Sequence, residues 1–148
     1  MDRPLSPVAR ARPAAAAPWI QRLALLALCA AYLQGGIDKA LDFHAAVAEM
    51  QHFGLAPAAP LAACVIALEL GSSVLILGGW YRWPAALALG LFTTGATFVA
   101  NRFWQLPPST ERFMTENAFF EHLGLVGGFV LVAWHDLRRR RDGAAPAC

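Results

Sequence analysis

Two carboxylates stand where an apolar chain has least reason to keep them. Glu69 lies within the run Leu61–Trp80, and Glu121 lies near the start of the run Asn117–Trp134. An ionisable side chain inside a membrane span costs about 2.5–3.5 kcal/mol on insertion scales, so each needs a reason. A carboxyl taken out of water can relay a proton or hold the polar end of a ligand. Lys39, Asn101 and Arg102 fall near the ends of neighbouring apolar runs, and Tyr32 lies inside the first. Together they offer a cation for a negative form and hydrogen-bond donors. Glu69 and Glu121 are the candidate catalytic groups, and Lys39, Tyr32, Asn101 and Arg102 the candidate ligand-binding ones.

These residues need elements to hold them. Of 148 residues 57% are hydrophobic and 15% charged, against about 45–50% and 25% in soluble domains. That composition cannot cover the surface of a small soluble domain with polar groups. A net charge of +2 is too slight a bias to argue for nucleic acid. A bilayer core takes about 20 apolar residues to cross, and four stretches qualify or nearly so: about Ile20 to Ile37, Leu61 to Trp80, Pro84 to about Phe103, and about Asn117 to Trp134. Trp19, Trp80, Tyr81, Trp83, Trp104 and Trp134 mark their ends, as an aromatic belt would. The fold class is all-α, an integral membrane four-helix bundle. Phe43, Val47, Met50 and Gly54 recur at helical spacing, with His44, Glu49, Gln51 and His52 mostly on other faces. They predict a short interfacial amphipathic helix between spans one and two. Trp104–Glu116, with Pro107 and Pro108, reads as a loop with at most one helical turn.

Nine of the twelve Lys and Arg residues fall on one side of this arrangement: Arg3, Arg10, Arg12, Arg22, Arg82 and Arg138 to Arg141. Lys39, Arg102 and Arg112 fall on the other, so both termini are expected in the cytoplasm. The four consecutive arginines read as a stop anchor on anionic headgroups. Residues 1–18 read as a disordered tail, 19–136 as the membrane domain and 137–148 as a basic tail. The basic start and the apolar run Leu23–Leu33 could open a signal peptide. The apolar stretch continues to Ile37, however, and favours an uncleaved first span.

On this topology Glu69 is about 12 Å below the outer boundary and Glu121 about 6 Å. Asn101, Arg102, Asp38 and Lys39 approach the same side, so the polar residues converge in the outer half. Helical spacing puts Cys29, Tyr32, Gly36 and Lys39 on one face of span one, and Glu69, Ser72 and Ser73 on one face of span two. Gly90, Thr94, Thr97 and Asn101 share a face of span three, and Glu121, Gly124 and Gly128 one of span four. Gly124-x-x-x-Gly128 is a small-residue packing face, for the bundle or for a homo-oligomer. His122 points about 100° from Glu121 and reads as an interfacial or packing residue. Thr94, Thr97, Ser72 and Ser73 read as helix-bridging groups.

Other chemistries are thin. His44, His52 and Glu49 could meet a metal, but a His pair at i, i+8 is poor ligand spacing, and no metal site is assigned. Cys29 and Cys64 differ in depth by about 7 Å, which disfavours a disulfide. With Cys148 there are three cysteines and no C-x-x-C. No two spans bring histidines to one depth for haem, and no phosphate-binding or hydrolase motif occurs.

Several segments in order resemble the DoxX family of small four-span membrane proteins. They are Gly35-Gly36-Ile37-Asp38-Lys39, Phe53-Gly54-Leu55-Ala56-Pro57, Glu69-Leu70-Gly71, Leu75-Ile76-Leu77-Gly78-Gly79 with Arg82, and Glu121 ahead of Gly127-Gly128. The likeness runs from about Arg22 to Trp134. It implies a four-helix bundle in a bacterial-type inner membrane, with a polar pocket at Lys39, Glu69, Asn101 and Glu121. Relatives in the family include a subunit of a thiosulfate–quinone oxidoreductase, a component of a membrane redox complex, proteins encoded with enzymes that modify copper-handling peptides, and eukaryotic receptor-assembly chaperones. The resemblance therefore leaves two functions open. One is a redox-linked membrane subunit binding a quinone or small polar ligand beside other redox subunits. The other is a non-enzymatic assembly factor, chaperone or anchor for a larger complex. A transporter ranks third, because four short spans without an internal repeat leave little room for alternating access.

Overall fold

The computed structural model describes residues 18–144. Its order is α1 (Pro18–Leu41), α2 (Phe43–His52), α3 (Ala58–Gly78), α4 (Arg82–Ala100), a 3-10 turn at Phe103–Gln105 and α5 (Thr110–Ala144). No strand occurs among the described residues. Helices α1, α3, α4 and α5 are each long and apolar enough to cross a membrane, as the four apolar runs predict. The tail before Pro18, with Arg3, Arg10 and Arg12, lies outside the described residues, as does Cys148.

Local sequence sets the boundaries. Pro18 opens α1, where a missing N–H costs nothing and the fixed φ suits a helix. The α1–α2 link is one residue, Asp42, whose carboxylate accepts from the Ala45 N–H at 2.9 Å and caps α2. Helix α3 ends at Gly79, in the left-handed region at φ 83°, which glycine enters without a Cβ penalty. Arg82 folds back there and donates from Nε to the Ile76 carbonyl at 2.9 Å, satisfying one of the orphan acceptors of α3.

The core occupies one end of the bundle. Leu25, Cys29, Tyr32, Ile76, Ala85, Ala86, Leu89, Phe129 and Ala133 form a buried cluster drawn from all four long helices. It sits on the side of the α3–α4 turn. A second cluster, Ala46, Met50 and Ala62, packs α2 onto the start of α3 at the other end. The amphipathic helix is therefore more than a strip on the interface: its Ala46 and Met50 are buried against the bundle. Exposed Trp19, Trp80, Tyr81 and Trp134 ring the α3–α4 turn end, where amphipathic rings suit a membrane–water boundary. Arg138 stacks its guanidinium 3.9 Å from the Trp134 ring centroid.

Helix α5 differs most from the sequence expectation. It runs 35 residues, about 52 Å, well beyond the ~30 Å of a hydrocarbon core. Apolarity marks only its middle. Thr110–Glu116, expected as loop, and residues 137–144, expected as tail, continue the same helix. The first follows Ser109, whose hydroxyl accepts from the Arg112 N–H at 3.2 Å, an N-cap signature. The second carries an i, i+4 bond from Arg140 to Asp136 at 2.9 Å.

Close approach of α1 to α3 depends on Gly36. A Cβ there would lie 2.8 Å from Leu70 Cγ and 3.3 Å from Glu69 Cβ, whereas one at Gly71 would meet nothing within 4 Å. We expect Gly36→Ala to cost about 1–3 kcal/mol through overpacking. Gly71→Ala should be neutral or gain about 0.5–1 kcal/mol of helix propensity. Thermal melting of the two variants in one detergent checks the contrast.

Candidate functional site

Toward the α2 end the long helices line a partly open cavity of about 660 Å³. Its walls are mostly apolar: Val65 and Leu68 of α3, Phe92, Ala96 and Val99 of α4, and Leu125 of α5. Met50, Phe53 and Leu55 line it at the α2 end, where Glu49 and Ala100 are exposed. The polar groups are few, namely Tyr32, Lys39, Glu49, Glu69, Thr93 and His122.

Lys39 and Glu69 meet at the α1–α3 seam, with Nζ 3.5 Å from Oε2. Glu69 is 6% exposed, and Lys39, on the last turn of α1, is half-buried. Glycine at position 35 leaves room for the pair, since a Cβ there would lie 3.4 Å from Lys39 Nζ. At 3.5 Å the contact is long for a charge-assisted hydrogen bond, which is normally about 2.7–2.9 Å. Both groups therefore retain capacity to bond something else in the cavity.

Tyr32 and Thr93 join α1 to α4 by a 2.5 Å hydroxyl–hydroxyl bond. Thr93 gives its own proton to the Leu89 carbonyl at 2.7 Å, so the Tyr32 hydroxyl is the donor between them. The phenol can then accept from a ligand but has no proton left to give it. Similar accounting applies to His122. Thr97 donates to the Thr93 carbonyl at 2.6 Å, so at 2.9 Å it accepts from His122 Nδ1–H. Asn101 lies 3.1 Å from the same nitrogen, and turning its carboxamide oxygen inward completes the set. This tautomer leaves Nε2 as an acceptor.

The structure thus brings Lys39, Glu69 and Tyr32 to one cavity, with Asn101 behind His122. Glu121 and Arg102 are not among its lining residues. Glu121 is exposed on α5, because the inward face of that helix is set by Phe129 and Ala133, both buried. His122, one residue and about 100° away, takes the wall position expected for Glu121. Gly128 does pack closely, since its Cβ would be 2.9 Å from Leu28, whereas Gly124 faces open space. Arg102 is exposed, donates from Nε to the Phe98 carbonyl at 3.0 Å, and lines a separate recess of about 310 Å³ with His52, Gln105 and Glu111.

Glu49 and His122 line the cavity although sequence spacing predicts other positions for both. The signal for Glu49 was its position one residue before buried Met50, at the end of α2 that turns back toward α3. Ser73 and Thr94 donate to carbonyls four residues earlier in their own helices, while Ser73 also meets the Cys29 side chain across the α1–α3 seam and Thr97 joins α4 to α5 through His122. Cys29 is buried and Cys64 exposed, and neither is in a disulfide. No cluster of three or more His, Cys, Asp or Glu side chains suited to a metal ion occurs among the described residues.

The DoxX family pattern matches residues 21–102, from the start of α1 to just past α4. The chain belongs to the DoxX family. It is an integral membrane protein of that family. Inner membrane protein YphA of Escherichia coli (strain K12) is 26% identical over 120 residues, which is 80% of this chain and 84% of that protein. No solved structure is significantly similar to the chain. The family match takes in Lys39, Glu69, Tyr32 and Asn101, and ends before α5 supplies His122.

For this DoxX-family chain the seam pair makes a quantitative expectation. Glu69→Gln strands the Lys39 ammonium and should cost about 1–3 kcal/mol. Lys39→Met combined with Glu69→Gln should recover part of that, with a coupling energy of about 0.5–3 kcal/mol. A double-mutant cycle on detergent unfolding measures it, and strict additivity of the two changes contradicts a functional pairing across the seam.

Proposed function

We propose that this DoxX-family protein is a redox-linked subunit of a bacterial-type inner membrane, binding a quinone or a similar small molecule with one polar end in the α2-end cavity. The observation that carries the reading is the cavity itself: about 660 Å³ of mostly apolar wall with a loosely held Lys39–Glu69 pair at one side. Ligand sites are commonly 300–1,000 Å³, apolar, with a few convergent polar groups. A quinone head offers carbonyl oxygens that accept from the Lys39 ammonium, and its ring and tail suit the Phe92, Leu68 and Val65 walls. Quinone reduction takes two electrons and two protons. In this reading the electrons come from a partner redox subunit, and Glu69 passes protons received from Glu49 at the rim. Tyr32 positions the ring wall through Thr93, and Asn101 holds His122. Glu121 and Arg102 lie outside the cavity, exposed at the same end of the bundle.

The nine-to-three distribution of basic residues supports cytoplasmic termini and a cavity in the outer half. The name of the Escherichia coli relative, which places that protein in the inner membrane, supports the location. Fluorescence of a green fluorescent protein fused at the C-terminus, against no activity of a periplasm-dependent alkaline phosphatase fused there, is the expected result. The reverse pattern would invert the topology.

A second reading is favoured by one observation: the Lys39–Glu69 pair also ties α1 to α3 beside the close contact at Gly36. In that reading the pair only fixes packing, and the protein is an assembly factor or anchor. The two separate experimentally. With a decyl-substituted benzoquinone added to protein in nanodiscs, binding is expected, and Glu69→Asp, which keeps the charge, should retain more of it than Glu69→Gln. Glu69→Gln should weaken binding about tenfold, which is about 1.4 kcal/mol. No binding by the unaltered protein, together with a Glu69→Gln defect confined to stability or to recovery of a complex, supports the assembly reading instead.

A further inference from the structure

We infer that the cavity is loaded sideways, from the hydrocarbon of the bilayer through the cleft between α3 and α4, and that its occupant has an uncharged head. This rests on the cavity being a ligand site, as proposed above, and adds the route and the charge class of the ligand.

Helices α3 and α4 are tied together at their turn, where Ile76 of α3 and Ala85, Ala86 and Leu89 of α4 share one buried cluster. Toward α2 the same two helices line the cavity, and three cavity-lining residues of α4, Leu91, Gly95 and Ala100, are also exposed on the outside of the bundle. Leu91 is 77% exposed, and Gly95 one turn on is exposed, with nothing within 4 Å of where its Cβ would be. A residue that faces both the inside of a cavity and the outside of the bundle marks an opening, and exposed Ala31 of α1 marks another beside the one at Leu91 and Gly95. Leu91 and Gly95 stand about 14 and 20 Å along α4 from Arg82, a depth that lies within a ~30 Å hydrocarbon core. The mouth therefore opens onto lipid. At the α2 end Met50 and Phe53 stand over the cavity beside exposed Glu49 and Ala100, a rim with a carboxylate that suits protons, whereas Leu91 and Gly95 offer an apolar ligand dissolved in the bilayer an apolar way in.

The charges select the head. Lys39 is the only cation lining the cavity among the described residues, against the two carboxylates Glu49 and Glu69. An anionic head, such as that of a fatty acid, would bring a third negative group into a low-dielectric space, where like charges repel strongly. An uncharged head that accepts a hydrogen bond meets Lys39 without that penalty.

The test uses the full chain in liposomes with Ala96→Cys carrying a nitroxide inside the cavity, Cys64 and Cys148 replaced by serine and buried Cys29 retained. Collision with molecular oxygen, which concentrates in lipid, should exceed collision with a water-soluble nickel chelate severalfold. Gly95→Trp should cut the oxygen collision rate at least by half. Gly95→Leu should cut it less, and Gly71→Trp, on an exposed face of α3 clear of the cavity, should leave it unchanged. Decyl-benzoquinone should shield the label, and decanoate should not. Equal relaxation by the nickel chelate overturns the lipid route. So does shielding by Ala31→Trp, at the exposed α1 side of the cavity, where Gly95→Trp has no effect. Equal shielding by decanoate overturns the charge argument. The oxygen readout needs no ligand, so failure of quinone to bind unaltered protein counts against the proposed function and leaves the route to be judged on collisions alone.

Discussion

A charge pair held inside an apolar bundle organises this protein. Hydrocarbon offers no partner to a polar group, so each one in a span must be satisfied by the chain itself. Lys39 and Glu69 meet that demand across the α1–α3 seam, and the local sequence follows from them. Gly35 leaves the ammonium its space, and Gly36 lets the helices approach until Leu70 fills the gap. The same constraint explains the hydroxyls. Ser73, Thr93, Thr94 and Thr97 each return a proton to a carbonyl four residues earlier, and among the described residues no buried side-chain polar atom is left without a partner.

The consequence is a bundle with unequal ends. At the α3–α4 turn, Phe129, Ile76 and Leu89 fill the centre at complete burial, and Gly79 with Arg82 ties the turn shut. Toward α2 the helices part around the cavity. Lys39 and Glu69 therefore sit where packing gives way to open volume. The ends also differ in their outer decoration. Beside the α2 end, Phe98, Phe103, Trp104, Phe119 and Phe120 form a chain of aromatic contacts with ring centroids 5.2–6.5 Å apart. They lock the α4–α5 connection at a depth where amphipathic and aromatic rings are favoured.

Most of the fold was legible because the signal was strong and redundant. Four apolar runs of membrane-spanning length give the four long helices almost without reference to tertiary structure. Helical spacing placed Tyr32, Lys39 and Glu69 on inward faces, and burial of Cys29, Gly36, Ser72 and Ser73 agrees with those faces. Span four was harder. Its acidic residue and its small-residue spacing pointed to one face, while the bulk of Phe129 set another, so Glu121 turned outward and His122 inward. Spacing alone does not rank a buried carboxylate against a buried aromatic ring. The ends of α5 were hidden for a related reason: outside the hydrocarbon a helix needs no apolar stripe, and only Ser109 and the Asp136–Arg140 spacing announced its continuation. Glu49 is obscured because an amphipathic pattern predicts a helix lying flat on the interface, whereas Ala46 and Met50 dock it onto α3 and bring its carboxylate to the rim.

On the function proposed, the α2-end cavity holds a lipid-soluble molecule against the Lys39–Glu69 pair. Photolabelling with an azido-benzoquinone in native membranes, followed by peptide mapping, tests it most directly. Label is expected on the cavity walls, at 50–69 of α2–α3 and 91–99 of α4, lost in Glu69→Gln but retained in Gly71→Ala. Label confined to outward residues such as Val74, Val130 and Leu131, and unchanged in Glu69→Gln, would contradict it.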